Sequence, residues 1–227
     1  MAEPQSTKKP LRLGVLLSGG GRTLTNIVNL IQAGQLPAEV AVVIASRPCQ
    51  GIDLARQAKL PAHLVDYKQS PDLEGTPNAM PRVRGPTYSA QIARLLDEAK
   101  AELVLLAGFL SFWKVPDRYL GRVMNIHPAL LPLFGGHGMY GHHVHEAVLA
   151  AGCKVSGCTV HFVTNQYDAG PIVAQRCVPV LEGDTPEALA ARVFEQECIA
   201  YPEAIRLFAE GRLKIDGNTV RVLPARK

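Results

Sequence analysis

Residues 11–34, LRLGVLLSGGGRTLTNIVNLIQAG, contain the pattern that decides the fold. Residues 11–18 are mostly apolar, which predicts a buried β-strand. Three glycines follow, and apolar residues then recur at helical spacing until Gly34, where glycine favours the end of a helix. A strand, a glycine loop and a helix in this order are the opening unit of a doubly wound α/β fold.

The same alternation continues outward from this unit. The predicted strands are residues 40–45, 63–65, 103–107 and 122–126, and the predicted helices are residues 51–60 and 88–100. Further along, two apolar strands at 157–163 and 171–180 flank a turn, which predicts an antiparallel hairpin. A helix should begin after Thr185 and break at Pro202, before short strands near 213–215 and 220–222. The predicted fold class is α/β, with a doubly wound, mostly parallel sheet and an antiparallel C-terminal part.

Length and charge bound the class of protein. The chain has 227 residues and a formal charge of +4, without the clustered basic stripe that nucleic-acid binding requires. No apolar stretch follows the lysines near the N-terminus, and no run approaches the roughly 18 apolar residues of a membrane helix. We therefore expect a cytoplasmic protein with a flexible tail over residues 1–10. Residues 11–227 should form a single domain, whose phosphate-binding half ends near residue 100.

The glycine loop, Ser18 to Thr23, lies between the first strand and the first helix. Glycines let a backbone approach a ligand closely, and a helix N-terminus offers free N–H groups and partial positive charge, which favours a phosphate. Its glycine spacing differs from that of a Walker loop, and Leu24 stands where a dinucleotide site needs its third glycine. The remaining alternatives are a phosphate-bearing small molecule and a tight turn that binds nothing.

Asn125 and His127 lie two residues apart at the end of a buried strand. In an extended chain they point to the same side, and Pro128 favours that extended conformation. An amide N–H can stabilise an oxyanion, and an imidazolium can donate a proton. The alternative is a histidine and an asparagine buried in the core with satisfied hydrogen bonds.

Asp168 lies in the turn of the predicted hairpin and would complete the set. Its carboxylate could hold His127 protonated or relay a proton through water. The alternative is an ordinary turn residue, because aspartate before a near glycine commonly forms turns.

Two further segments carry candidate side chains. His142, His143 and His145 with Glu146 form a dense cluster, but their spacing matches no closed zinc pattern, so we expect a loop that caps a substrate and no metal. Residues 106–113, LAGFLSFW, follow a buried strand and could wall a flat aromatic ligand or belong to the core.

Several segments in this order resemble one known family. They are SGGG after the first strand, LAGFL, NIHPALLP, GCTVHFV, YDAGP and EQECIAYP. Together they make the chain, from residue 11 to about 213, similar to the phosphoribosylglycinamide formyltransferase family. Asn-x-His-Pro followed by Leu-Leu-Pro is specific to the wider superfamily of folate-dependent formyltransferases. The resemblance implies a doubly wound fold and formyl transfer from 10-formyltetrahydrofolate to the amine of glycinamide ribonucleotide, in purine synthesis.

The resemblance also implies roles for single residues. The catalytic residues it implies are Asn125, His127 and Asp168. Those for the ribonucleotide are Gly20, Gly21, Arg22, Thr23 and Glu197. Those for the folate are Arg84, Leu110, Ser111, Phe112, Trp113, Asn125, Thr164, Asn165, Gln166, Tyr167 and Asp168. The expected partners are these small molecules, without nucleic acid or membrane, and the helical surface is compatible with a homodimer.

Three rivals remain. Methionyl-tRNA formyltransferase shares the donor and the Asn-x-His pattern, but its members usually carry a further C-terminal domain. Formyltetrahydrofolate deformylase hands the formyl group to water, and its members usually begin with a regulatory domain. A non-catalytic nucleotide-binding module would use the glycine loop but leaves Asn125, His127 and Asp168 unexplained.

Overall fold

Nine β-strands form one sheet in the computed structural model, which describes residues 9–68 and 86–225. The strands are β1 (Leu11–Leu17), β2 (Ala38–Ala45), β3 (Ala62–Leu64), β4 (Leu103–Leu106), β5 (Val123–His127), β6 (Val155–Phe162), β7 (Ile172–Pro179), β8 (Leu213–Asp216) and β9 (Thr219–Val222). The helices are α1 (Arg22–Gln32), α2 (Gln50–Gln57), α3 (Pro86–Glu98), α4 (His142–Ala150) and α5 (Pro186–Ala209), with a short 3₁₀ helix at Asp117–Tyr119.

The strand order confirms the predicted fold class. It runs β3-β2-β1-β4-β5-β6-β7-β9-β8. The first five strands are parallel, whereas β6 pairs antiparallel with both β5 and β7. The direction of winding reverses between β1 and β4, and in such sheets a crevice for ligands opens at the carboxyl ends of the strands beside that reversal.

Both faces of the sheet are covered, as the apolar composition of its central strands requires. One buried cluster packs α1, α2 and α5 against the sheet through residues such as Ile27, Ile52 and Val193. A second buried cluster lies under α3, around Ile92, Leu96 and Trp113. Burial on both faces holds the central strands rigidly, so the residues at their carboxyl ends project from a fixed edge.

Helix α5 corrects one prediction. The expected break at Pro202 is absent, because α5 runs unbroken from Pro186 to Ala209 with Pro202 inside it. Proline has no N–H and leaves the carbonyl four residues earlier without its helical partner. That carbonyl belongs to Cys198, and the side-chain amide of Asn26 in α1 donates to it at 3.2 Å. A contact from a distant helix therefore compensates the missing hydrogen bond.

The remaining helix and strand predictions agree with the structure to within a few residues at their ends. Over the described ranges, no helix is both long enough and apolar enough to cross a membrane. The predicted tail lies largely outside the described residues, which begin at residue 9.

Candidate active site

The glycine loop leads from β1 directly into α1. Gly21 takes the N-cap position with φ 78°, a left-handed conformation that favours glycine. A Cβ atom at Gly21 would lie 2.7 Å from the Cα atom of Gly51, the second residue of α2. The loop therefore rests against the backbone of α2, and glycine brings no capping side chain to compete for the N–H groups of the first turn of α1.

Ser18 fixes the base of this loop. Its hydroxyl lies 2.6 Å from the hydroxyl of Ser46 and accepts a hydrogen bond from Leu110 N at 2.8 Å. The guanidinium of Arg47 donates to Ser18 O at 2.7 Å. Ser46 and Arg47 thus brace the loop from the position where a dinucleotide site would carry an acidic residue.

A cleft of about 370 Å³ lies at the carboxyl edge of the sheet. It brings together side chains that the sequence places far apart: Arg22, Thr23, Asn125, His127, Asp168 and Glu197. Gly20 and Gly21 lie behind this lining, at the start of α1. The cleft therefore joins the glycine-loop side of the molecule to the Asn125–His127 strand end in one continuous space.

At the glycine-loop end of the cleft, a cation lies beside a carboxyl group. The Arg22 guanidinium lies 3.7 Å from the centre of the Phe194 ring, a cation–π contact that directs Arg22 along α5. Burial raises the pKa of the half-buried Glu197 to about 7, although the charge of Arg22 opposes the rise. Near neutral pH the Glu197 carboxyl is therefore partly protonated and can both donate and accept hydrogen bonds.

The opposite end of the cleft brings together Asn125, His127 and Asp168. Asn125 Nδ2 lies 3.5 Å from Asp168 Oδ1, and His127 Nδ1 lies 3.7 Å from Asp168 Oδ2. Asp168 adopts φ 48° in its turn, which a short polar residue tolerates better than most. Burial raises the pKa of Asp168, but the His161 and His127 rings, in their charged forms, and the Gly136 N–H lower it below its usual value, so the group is ionised near neutral pH.

The protonation of His127 differs from the expectation. Burial lowers the pKa of His127, and the opposing effect of Asp168 does not cancel the loss of solvation. His127 Nε2 lies 2.8 Å from Phe134 O and donates its hydrogen to that carbonyl. His127 is therefore mainly neutral near pH 7, with its unprotonated Nδ1 facing Asp168.

The loop after β5 supplies contacts that sequence reasoning missed. Its backbone holds His127 through Phe134 O and Asp168 through Gly136 N, which donates to Asp168 Oδ2 at 2.9 Å. A Cβ atom at Gly135 would lie 2.5 Å from Leu131 Cδ2 and 3.2 Å from Asp168 Cβ. The length and glycine content of this segment indicate a functional loop. Its contacts with His127 and Asp168 depend on the conformation of the loop, which the sequence does not give.

A second cavity of about 90 Å³ adjoins the cleft. Its lining includes most of the predicted folate residues: Ser111, Phe112, Trp113, Asn125, Thr164, Gln166, Tyr167 and Asp168. Leu110 lines only the larger cleft. Asn165 lines neither space, because its amide makes hydrogen bonds of 2.8 and 3.2 Å with the backbone of Val115. Arg84 lies outside the described residues.

The histidine cluster divides between surface and interior. His142 and His143 are exposed, whereas His145 is 4% exposed, and both His142 and His145 line the cleft. Burial lowers the pKa of His145 to about 4, and its Nδ1 atom has no hydrogen-bond partner. Among the residues described here, no group of histidine, cysteine and carboxylate side chains has the arrangement of a metal site.

Fold and site together define a doubly wound α/β enzyme with a two-part cleft at the carboxyl edge of its sheet. Residues 11–205 match the formyl transferase family model, and the chain belongs to this family.

Individual relatives agree with this assignment. Phosphoribosylglycinamide formyltransferase of Haemophilus influenzae is 34% identical over 211 residues, which cover 91% of each chain. The trifunctional purine biosynthetic protein adenosine-3 of Gallus gallus is 36% identical over 208 residues, and the chain spans 19% of that longer protein's length. The crystal structure of glycinamide ribonucleotide transformylase 1 from Symbiobacterium toebii is 40% identical and has a TM-score of 0.85, covering 98% of this chain and 99% of its own.

Proposed function

We propose that this protein transfers the formyl group of 10-formyltetrahydrofolate to the amine of glycinamide ribonucleotide, a step of purine synthesis. One observation carries the proposal: the larger cleft and the smaller cavity share Asn125 and Asp168 in their walls. Two substrates bound on either side of these residues would meet where an amide donor and a carboxylate are already in place.

The acceptor belongs in the larger cleft. A ribonucleotide offers a phosphate for the first turn of α1 and for Arg22 and Thr23, and ribose hydroxyls for Glu197. The partly protonated Glu197 suits hydroxyl groups, which both donate and accept. With the phosphate held at the Gly20–Gly21 loop, the amine of the acceptor would point along the cleft toward Asn125.

The donor belongs in the smaller cavity. Phe112, Trp113 and Tyr167 supply a largely apolar lining, which suits a flat aromatic ring system. Phe112 and Tyr167 are already in ring contact, with centroids 5.3 Å apart. Ser111, Thr164 and Gln166 would surround the rest of the donor, and Leu110 would contact it from the larger cleft. Roles for Asn165 and Arg84 stay predictions from the resemblance.

The chemistry follows from the residues at the shared wall. The amine of the acceptor attacks the formyl carbon, the new C–N bond forms, and the carbonyl oxygen becomes an oxyanion. The Asn125 N–H donates to that oxygen. The developing negative charge raises the pKa of His127, which can then hold a proton opposite Asp168. The proton that the amine loses passes to His127 Nδ1, beside Asp168, and from there to the folate nitrogen as the bond between that nitrogen and the formyl carbon breaks.

Asn125→Ala tests the proposal. Loss of one oxyanion donor should lower kcat by roughly 10²–10³ while the fold survives. Asn29→Ala is the matched control, because Asn29 is exposed on α1. The assay follows 10-formyltetrahydrofolate consumption with and without glycinamide ribonucleotide, and far-ultraviolet circular dichroism monitors the fold. Near-normal turnover in Asn125→Ala would contradict the role given to Asn125.

The same assay separates the rivals. Folate turnover in the absence of the ribonucleotide would identify a deformylase, and formylation of methionyl-tRNA in its place would identify the tRNA enzyme. No turnover under any of these conditions would leave a nucleotide-binding module. A cytoplasmic location and a homodimer stay predictions.

A further inference from the structure

His161 lies beside Asn125 in the sheet. The two residues are paired across the antiparallel strands β5 and β6. The His161 side chain is 2% exposed and lines the smaller cavity together with Asn125 and Asp168. Sequence reasoning did not single out His161, because a histidine within an apolar strand usually belongs to the core.

The surroundings of His161 fix where its ring carries hydrogen. Nδ1 lies 3.0 Å from Phe162 O, and a carbonyl oxygen can only accept a hydrogen bond. Nδ1 is therefore the protonated nitrogen, and in the neutral ring Nε2 carries a lone pair. Asn125 Nδ2 lies 3.1 Å from Nε2 and donates to it, whereas Asp168 Oδ1 is 3.6 Å away.

Because His161 Nε2 accepts a hydrogen bond, it decides which edge of the Asn125 amide faces the site. Rotation of the amide by 180° would place its oxygen against the Nε2 lone pair and beside the Asp168 carboxylate, where every group is an acceptor. With nitrogen there, one N–H bonds to His161. The other points toward Asp168 at 3.5 Å, a contact long enough for a substrate oxygen to replace.

We propose that His161 is a positioning residue, which holds the Asn125 amide with its amino group toward the formyl oxygen of the donor. This role rests on the formyl transfer proposed above. His161 acts through Asn125 and does not itself touch the reacting atoms. Oxyanion stabilisation depends on donors oriented before the reaction, so an amide that is no longer held in one orientation loses much of its effect.

The kinetic test uses His161→Phe, which keeps a planar ring and removes both nitrogens. We expect kcat to fall about 10²-fold, the scale of a mispositioned catalytic group, with KM for both substrates nearly unchanged. His161→Gln restores an acceptor near the position of Nε2 and should recover most of the activity. In an Asn125→Ala background, His161→Phe should have little further effect, because the amide that it positions is gone.

Two outcomes would overturn the role of His161. One is an equal loss from His161→Phe in the wild-type and Asn125→Ala backgrounds, since independent effects multiply. The other is a loss confined to KM. Should His161→Phe fail to fold, His161→Gln decides alone: with Asn125 intact it should keep most of the wild-type kcat, and a loss as large as that of Asn125→Ala would overturn the proposal.

A readout independent of activity separates this inference from the proposed function. Nitrogen-15 NMR of the histidine rings distinguishes a protonated Nδ1 from a protonated Nε2. In the neutral ring, we expect the His161 signal, assigned by its loss in His161→Gln, to show a protonated Nδ1 and an unprotonated Nε2. The opposite tautomer would refute the proposal even in an active enzyme. The expected tautomer without formyl transfer would refute the function but leave the amide orientation intact.

Discussion

Gly21 and Gly51 meet so closely that neither can carry a side chain. A Cβ atom at Gly51 would lie 2.8 Å from Gly19 O and 3.1 Å from Gly21 Cα. We expect Gly51→Ala to displace the glycine loop, to raise KM for the ribonucleotide more than it lowers kcat, and to cost about 1–3 kcal/mol of stability through overpacking. Urea unfolding and steady-state kinetics measure the two effects.

Gly19→Ala is the control for stability at this contact. It adds the same methyl group to the same loop, but nothing lies within 4 Å of the new atom. Its unfolding midpoint should match that of the wild type. An unchanged unfolding midpoint and an unchanged KM in Gly51→Ala would contradict the prediction, because the glycine loop would then accommodate the methyl group without losing stability or ribonucleotide affinity.

At this scale the sequence predicted positions better than contacts. The two-residue repeat of an extended strand was enough to place Asn125 and His127 on one side. The approach of Asp168 could not be predicted, because it depends on a turn with positive φ and on the space left by Gly135. His161 was missed for a similar reason, since its partner lies 36 residues away on a neighbouring strand.

Among the elements, α5 shows why a local rule failed. The proline rule considers only the chain around Pro202, whereas the group that satisfies the Cys198 carbonyl lies 172 residues away in α1. Strand positions were predictable because buried parallel strands are apolar along their whole length, a property of each segment alone. The continuity of α5 depends on tertiary packing, which no single segment encodes.

The link between Asn26 and α5 gives a prediction for these elements. Asn26→Ala should cost about 1 kcal/mol, the usual net value of one hydrogen bond. In a Pro202→Ala background it should cost less, because the substituted alanine then supplies the backbone N–H that the Cys198 carbonyl lacks. Urea unfolding of the four proteins measures the coupling, and the double-mutant cycle removes the cost of the methylenes lost from Pro202.

Asn29→Ala is the control for this cycle, since Asn29 lies on the exposed side of the same helix. Its effect should be small and equal in both backgrounds. Strictly additive effects of Asn26→Ala and Pro202→Ala would mean that the Asn26 amide does not compensate for the proline.

For the whole molecule, His145 links stability to pH. The unfolded chain takes up this proton near pH 6.5, whereas burial lowers the pKa of His145 in the folded protein to about 4. Its contribution to stability is therefore complete above pH 6.5 and is lost as the pH falls toward 4, by up to about 3 kcal/mol. Glu197 acts oppositely: its pKa is raised to about 7, so its contribution is lost as the pH rises through that value.

Comparison with His145→Phe isolates the histidine from the other groups. Relative to the wild type, this variant should gain stability as the pH falls from 6.5 to 4, because it has no buried imidazole to protonate. Urea unfolding across this range provides the measurement, and His63→Phe is the control for the same replacement at an exposed position. Parallel curves for His145→Phe and the wild type would contradict the assignment.

The wall shared by the cleft and the smaller cavity has a thermodynamic consequence. Asn125 and Asp168 face both spaces, so each bound substrate would complete the surroundings of the other. The formyl group would then pass directly from one bound molecule to the other, without a covalent formyl-enzyme intermediate. Coupling of this kind is reciprocal: if the ribonucleotide tightens folate binding by some factor, the folate must tighten ribonucleotide binding by the same factor.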